Sequence, residues 1–265
     1  MSSAILSQGK EPKKREWEPY KIGNLKVSFS QLPQLLSSCP PCEMEGGRKT
    51  LRIGVVYGSG LSTRYVKGTG QIGLISDALY ISEILLQINR LLFSNNPEST
   101  LIVDSLLDID MSDRQRSNLN LILVATGDVN LVTAQLVESY SGRLKVTFGS
   151  PISPTIKGLA DNYEAPRGAD MGALIACANP WSNGRRFAIV VGGINAIGTV
   201  AASKLLLDYL HNVGPSNNKM NPNVPSHVVK GRPRKYKVSL RPKDRCIPEL
   251  EVANLDENNG YEIIE

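Results

Sequence analysis

Apolar and polar positions alternate, cluster or recur at helical spacing in turn along this chain, and the changes of rhythm mark its elements. Lys21 to Phe29 alternates with period two, as a half-buried strand does, and Leu32, Leu35 and Leu36 follow at the spacing of a short helix. Prolines and Gly46-Gly47 break the Cys39 to Lys49 segment. From Leu51 to Tyr57 the chain is almost continuously apolar and stops at Gly58-Ser59-Gly60. Ile72, Ile75, Leu79, Ile84, Ile88 and Leu92 then predict a long helix that starts near Gly70. Leu101 to Val103 and Leu119 to Ala125 read as buried strands, and Leu131, Val132, Leu136 and Val137 as the apolar face of a helix with Asp128 placed to cap it. Leu144 to Phe148 alternates as a strand, and the Pro/Gly-rich Gly149 to Gly168 reads as a long surface excursion. Met171 to Ala178 and Phe187 to Val191 are strands, Ala196 to His211 is a helix, and after an Asn/Pro linker His227 to Lys230 and Tyr236 to Leu240 are strand-like.

Apolar strands alternating with helices predict an α/β fold. The expected architecture is a three-layer, Rossmann-like domain whose parallel or mixed sheet is covered on both faces. Three parts are expected: a flexible arm with a short strand and helix over 1–49, the α/β domain over 50–213, and a linker with a β-rich C-terminal extension over 214–265. Length and composition agree, since 265 residues that are 41% hydrophobic suffice for a sizeable core. No internal repeat stands out. The stretch from Phe187 to Ser203 is too short and too broken by glycine to span a membrane. Only Ala4-Ile5-Leu6 is apolar before the first run of charge, which predicts a cytoplasmic protein without a secretion signal.

Charge changes the picture at one end. The net charge of +5 divides into +3 over 1–50, 0 over 51–213, +8 over 214–245 and −6 over 246–265. The basic and acidic stretches either pair with each other as an extended hairpin or contact an acidic partner such as nucleic acid. Lys230, Arg232, Arg234, Lys235 and Lys237 surround Gly231 and Pro233, which prevent a helix, and Gly-Arg-Pro is the core of an AT-hook, whose extended backbone carries arginine into a narrow minor groove. These five are the candidate nucleic-acid contacts.

Other chemistry is thinner. Gly58, Ser59, Gly60, Ser62 and Thr63 follow a strand where an open α/β sheet binds anions, and are the candidate anion-binding residues of a nucleotide- or anion-binding enzyme. Thr63 replaces the third glycine of the dinucleotide fingerprint, and no P-loop Lys-Ser/Thr pair is present. Gly192-Gly193 with Gly198-Thr199 is a second strand-to-helix turn, and close packing accounts for it. Asp104, Asp108, Asp110 and Asp113 read as a solvated strand end rather than a cation site, and Asn254 to Gly260 as a turn. Cys39-Pro-Pro-Cys42 has the spacing of a redox pair or half a zinc site without the context of either, and Cys177 and Cys246 are isolated. With only His211 and His227 in the chain, a histidine-based hydrolase has little to build with. No catalytic residue, metal or cofactor is assigned.

Over 118–202 the chain carries a recurring order of motifs. A buried strand leads from Asn118 into the turn Gly127-Asp128-Val129-Asn130; Asn179-Pro180-Trp181 precedes a strand ending in Gly192-Gly193; a helix then opens with Gly198-Thr199. This resembles a domain of archaeal S-layer proteins and their small relatives. The resemblance implies a non-enzymatic α/β domain used for assembly or binding, here as a cytoplasmic interaction module that associates with itself or with a protein partner.

Overall fold

The computed structural model describes residues 21–22, 25–38, 42–59, 70–125, 129–140, 144, 146–150, 153–158, 162–163, 170–183, 185–211, 226–238, 250–255 and 261–264. The expected strand over 21–29 is instead two two-residue strands, β1 (Lys21–Ile22) and β2 (Leu25–Lys26), paired with each other, with Val27 and Phe29 buried beyond them. Next come α1 (Leu32–Ser38), the hairpin β3 (Glu43–Glu45) and β4 (Arg48–Tyr57), then α2 (Gly70–Asn95), which starts where the periodicity places it. β5 (Thr100–Leu107) is longer than its apolar centre. A short turn at Asp108–Asp110 and α3 (Asp113–Asn118) lead into β6 (Asn120–Val124) and α4 (Leu131–Ser139). Ser112 caps α3 in a box with Gln115.

Within the Gly149 to Gly168 stretch, which reads from sequence as a surface excursion, the described residues lie mostly in strands. β7 (Thr147–Ser150), β8 (Ser153–Lys157) and β9 (Asn162–Tyr163) form a small antiparallel sheet, and Ile156 is buried in the core. β10 (Asp170–Ala178), β11 (Phe187–Gly193) and α5 (Ala196–Leu210) follow, and β12 (Ser226–Gly231), β13 (Pro233–Val238), β14 (Leu250–Leu255) and β15 (Tyr261–Ile263) complete the chain.

The main sheet runs β15-β12-β10-β11-β6-β4, with β5 on the free side of β4 and β3 against the start of β4. β5, β4, β6 and β11 are parallel; β10 is antiparallel to both β11 and β12. The fold is therefore α/β with a mixed sheet of eight strands. Both faces are buried. Ile53, Val55, Ile122, Val124, Ile189 and Val191 face α1, α2 and α5, while Leu121, Leu123, Ala188 and Val190 face α4 and β8. Successive residues of β6 and β11 alternate between the two cores, so continuous apolar runs are what these strands require.

The division expected at 213/214 passes through this sheet, because β12 and β15 are two of its strands. From β12 to β15 the chain makes one long antiparallel course in two segments. Val229 to Gly231 pair with Ile263 to Tyr261 inside the main sheet, and Pro233 to Val238 pair with Leu255 to Leu250 outside it. β14 lies along α2 and α5. No helix among the described residues is long and apolar enough to cross a membrane.

Candidate functional site

The chain leaves β4 toward β5 and then crosses back to β6, so the switch point of the parallel strands lies between β4 and β6. Ligands of doubly wound sheets bind beyond the carboxyl ends of strands at this point. Here the chain fills it. Asn130 caps α4 by accepting from the Thr133 N–H at 3.0 Å, and its Nδ2 donates to the carbonyls of Val56 on β4 and Val124 on β6 at 2.9 and 3.0 Å. The cap expected at Asp128 thus belongs to Asn130, which is fully buried. Ala125 ends β6 with φ +86°, a conformation costly for a residue with a Cβ.

Asp108 belongs to the expected solvated acidic cluster, yet it is buried. Its Oδ1 accepts from the N–H groups of Ser59 and Ile109 at 2.8 and 2.9 Å, and its Oδ2 from the first N–H of α4, at Leu131, at 2.7 Å. A carboxylate at a helix N-terminus is favoured by the dipole and by the unpaired amides there. Asp108 thus supplies the negative charge that the Ser59 and Leu131 amides meet. Gly58 is closed as well, since a Cβ on it would stand 2.6 Å from the Val129 carbonyl oxygen. Gly60, Ser62 and Thr63 lie outside the described residues.

The second strand-to-helix turn repeats the device. Asp170, also buried, accepts at the start of α5 from the N–H of Gly198 at 2.6 Å, from the N–H of Asn195 at 3.0 Å, and from Asn195 Nδ2 at 3.2 Å, as well as from its neighbour Met171 at 2.8 Å. Burial raises its carboxyl above the usual carboxylate range, and these four donors oppose the rise. Close approach accounts for the glycines: a Cβ on Gly198 would lie 2.1 Å from the Met171 carbonyl oxygen, and one on Gly193 2.2 Å from the Thr199 nitrogen.

Two more asparagines, both fully buried, staple the opposite end of the sheet. Asn120 donates to the Arg52 carbonyl and accepts from the Phe187 N–H, tying β6 to β4 and β11. Asn179 donates to the carbonyls of Arg116 and Leu119 and accepts from the Trp181 N–H, while Arg116 stacks over the Trp181 ring at 5.0 Å. The motif residues Asn130, Asn179 and Gly198 are thus structural fasteners.

Among the described residues no group of three or more His, Cys, Asp or Glu side chains could hold a metal ion. Cys42 is disulfide-bonded and offers no thiolate to zinc. Burial pushes the Cys177 thiol up to about 12, which makes it an inert core residue. His227, in the run that reads from sequence as strand-like, is buried on β12 with Nε2 2.6 Å from the Tyr209 hydroxyl, and Phe29 stacks on Tyr209.

Of the basic candidates, Lys230 is half-buried on β12 and Arg232 is exposed at the break between β12 and β13. Arg234, Lys235 and Lys237 lie on β13 in register with Asn254, Ala253 and Glu251 of β14. The basic stretch and the beginning of the acidic one are thus joined as the two strands of a hairpin. Because β14 lies along the helices, β13 forms the outer strand of this ribbon. From the sequence Asp108 reads as solvated and Asp170 carries no signal, since nothing local distinguishes an acid that caps a distant helix from a solvated one.

Among the described residues, the carboxyl end of the sheet exposes three large apolar side chains: Leu107 is 42% exposed, and Ile109 and Leu131 each 50%. The chain matches no protein-family model and no curated protein.

Proposed function

We propose that this protein is a non-enzymatic assembly or binding module that works through its surfaces, as the resemblance to S-layer-like domains implies. One observation carries the reading. At the carboxyl edge of the sheet, where a Rossmann-like enzyme would receive its cofactor or substrate anion, buried carboxylates of the chain itself accept from the amides at the starts of α4 and α5. The amides of Ser59, Leu131, Asn195 and Gly198 are spent on holding the fold, and Leu107, Ile109 and Leu131 are exposed. Static light scattering across a concentration series tests it. A mass above the 28.9 kDa of the chain supports assembly, whereas a strict monomer that binds a nucleotide through Gly58 to Thr63, and loses that binding in Gly60→Val, refutes it.

A second reading has its own support. The outer position of β13 places Arg234, Lys235 and Lys237 on a two-stranded ribbon, a shape that fits a DNA groove. The test is fluorescence anisotropy with A·T-rich and G·C-rich duplexes and RNA at two salt concentrations. Binding with a steep salt slope that is lost in R232A/R234A supports nucleic-acid recognition, and no binding at low salt removes it.

A further inference from the structure

The sheet has two edges, and they differ. β15, on one side, is three residues long and so is a poor template for pairing. β5, on the other, has eight residues paired to β4 in unbroken register and, among the described residues, no strand on its outer flank. Natural edges are blunted by lysine, proline, a bulge or shortness. β5 has none of these. Its one charge, Asp104, stands on the face opposite Val103 and acts electrostatically on Arg52 of β4.

On the face of β5 that Leu101 shares with the helical core, Val103, Ser105 and Leu107 are exposed and uncharged. Leu86 and Phe93 of α2 are exposed too, and a spacing of two turns puts them on one flank of the helix. Gln87 donates to the Leu210 carbonyl of α5, which fixes one flank of α2 against α5. Exposed uncharged side chains and, among the described residues, an unpaired backbone edge therefore meet on β5.

We infer that β5 pairs with β5 of a second copy across a two-fold axis perpendicular to the sheet. This rests on the assembly reading and names its surface. Three features favour a second copy. The row carries no charge that would select a charged partner, it is self-complementary under a two-fold, and the short β15 edge closes the assembly at two copies instead of letting sheets extend. Such an axis keeps each face on its own side, so residues of equal parity oppose each other. With Ser105 on the axis, Val103 meets Leu107 of the partner subunit, and Asp104 faces the partner's Leu106. An axis at Asp104 would oppose two carboxylates, which is unfavourable.

The test uses the full chain in four forms: unchanged, S105C, S139C and V103K/L107K. Ser139 is exposed on α4, away from this edge. Opposed Cβ atoms in an antiparallel pair stand about 4.5–5.5 Å apart, close enough for a disulfide after small adjustment. The unchanged chain is expected at twice 28.9 kDa in light scattering, S105C as a covalent dimer on a non-reducing gel after mild oxidation, S139C as a monomer on that gel, and V103K/L107K as a monomer in solution with unchanged far-ultraviolet circular dichroism. A dimer that survives V103K/L107K and leaves S105C unlinked overturns the β5 edge while keeping the assembly reading. A monomer at every concentration overturns the β5 pairing and the self-assembly form of the reading, and leaves binding of another partner as its remaining form. Should V103K/L107K misfold, the S105C and S139C pair decides alone.

Discussion

Asp108 is the sharpest point at which to test whether the switch point is filled by design. In Asp108→Ala, the N–H groups of Ser59, Ile109 and Leu131 lose acceptors at 2.7–2.9 Å. A hydrogen bond to a charged group contributes about 1.5–3 kcal/mol. The three share one carboxylate and are not additive, and exposed Leu131 leaves its amide open to water, so we take about 3 kcal/mol in total. For a chain of this length that lowers Tm by about 6–12 °C. Asp108→Asn keeps one oxygen and should lose about half as much. Thermal and urea unfolding measure both. The vacated turn retains three amides and the positive end of α4, so acetate at fixed ionic strength should stabilise Asp108→Ala and leave the unchanged protein as it was. A loss below about 0.5 kcal/mol, the ordinary range for a surface change, would refute the reasoning, and so would equal stabilisation of both proteins by acetate.

Gly198→Ala sets a Cβ 2.1 Å from the Met171 carbonyl, backbone against backbone, and should cost about 3 kcal/mol or more, read as a drop in the urea midpoint. Asp170 binds its proton more tightly folded than unfolded, so its contribution to the unfolding free energy is greatest at acid pH and falls as pH rises past the ordinary value of 3.8; a pH series of urea midpoints should lose this limb in Asp170→Asn. Tyr209→Phe removes the buried hydrogen bond between the Tyr209 hydroxyl and His227 Nε2 and should destabilise by about 1–3 kcal/mol, and a double-mutant cycle with His227→Leu measures the coupling of the pair.

The sequence made the covered α/β sheet legible because both of its cores are drawn from the same strands. Leu121 to Val124 and Phe187 to Val191 had to be continuously apolar, and α2 announced itself through Ile81, Ile84, Ile88 and Leu92. The pairing of the basic and acidic ends was legible as one of two readings of the charge pattern, and the backbone of β13 and β14 follows it. The small sheet β7 to β9 was hidden by its prolines and glycines, which usually punctuate turns. β12 and β15 read as an appendage because an antiparallel strand added to a parallel sheet has no helix to signal it. The filled turns were illegible for a different reason. Asp108 finds Ser59 and Leu131, and Asp170 finds Gly198, only after the strands have brought distant segments together.

The mixed character of the sheet also divides the molecule in time. In the parallel half each pairing closes a long loop: Thr50 meets Thr100, and Ile53 meets Asn120. β10 and β11 are separated only by the Asn179 to Arg186 connection, and α5 folds back on both through the contacts of Gly172, Gly193 and Gly198. Loop-closure entropy favours the local unit, so β10, β11 and α5 are the segment expected to form first and to serve as the platform on which β6 and then β4 dock. Pulse-labelled hydrogen exchange would register that order as early protection of Ala173 to Ala176 and Ile189 to Val191, ahead of Leu101 to Leu106.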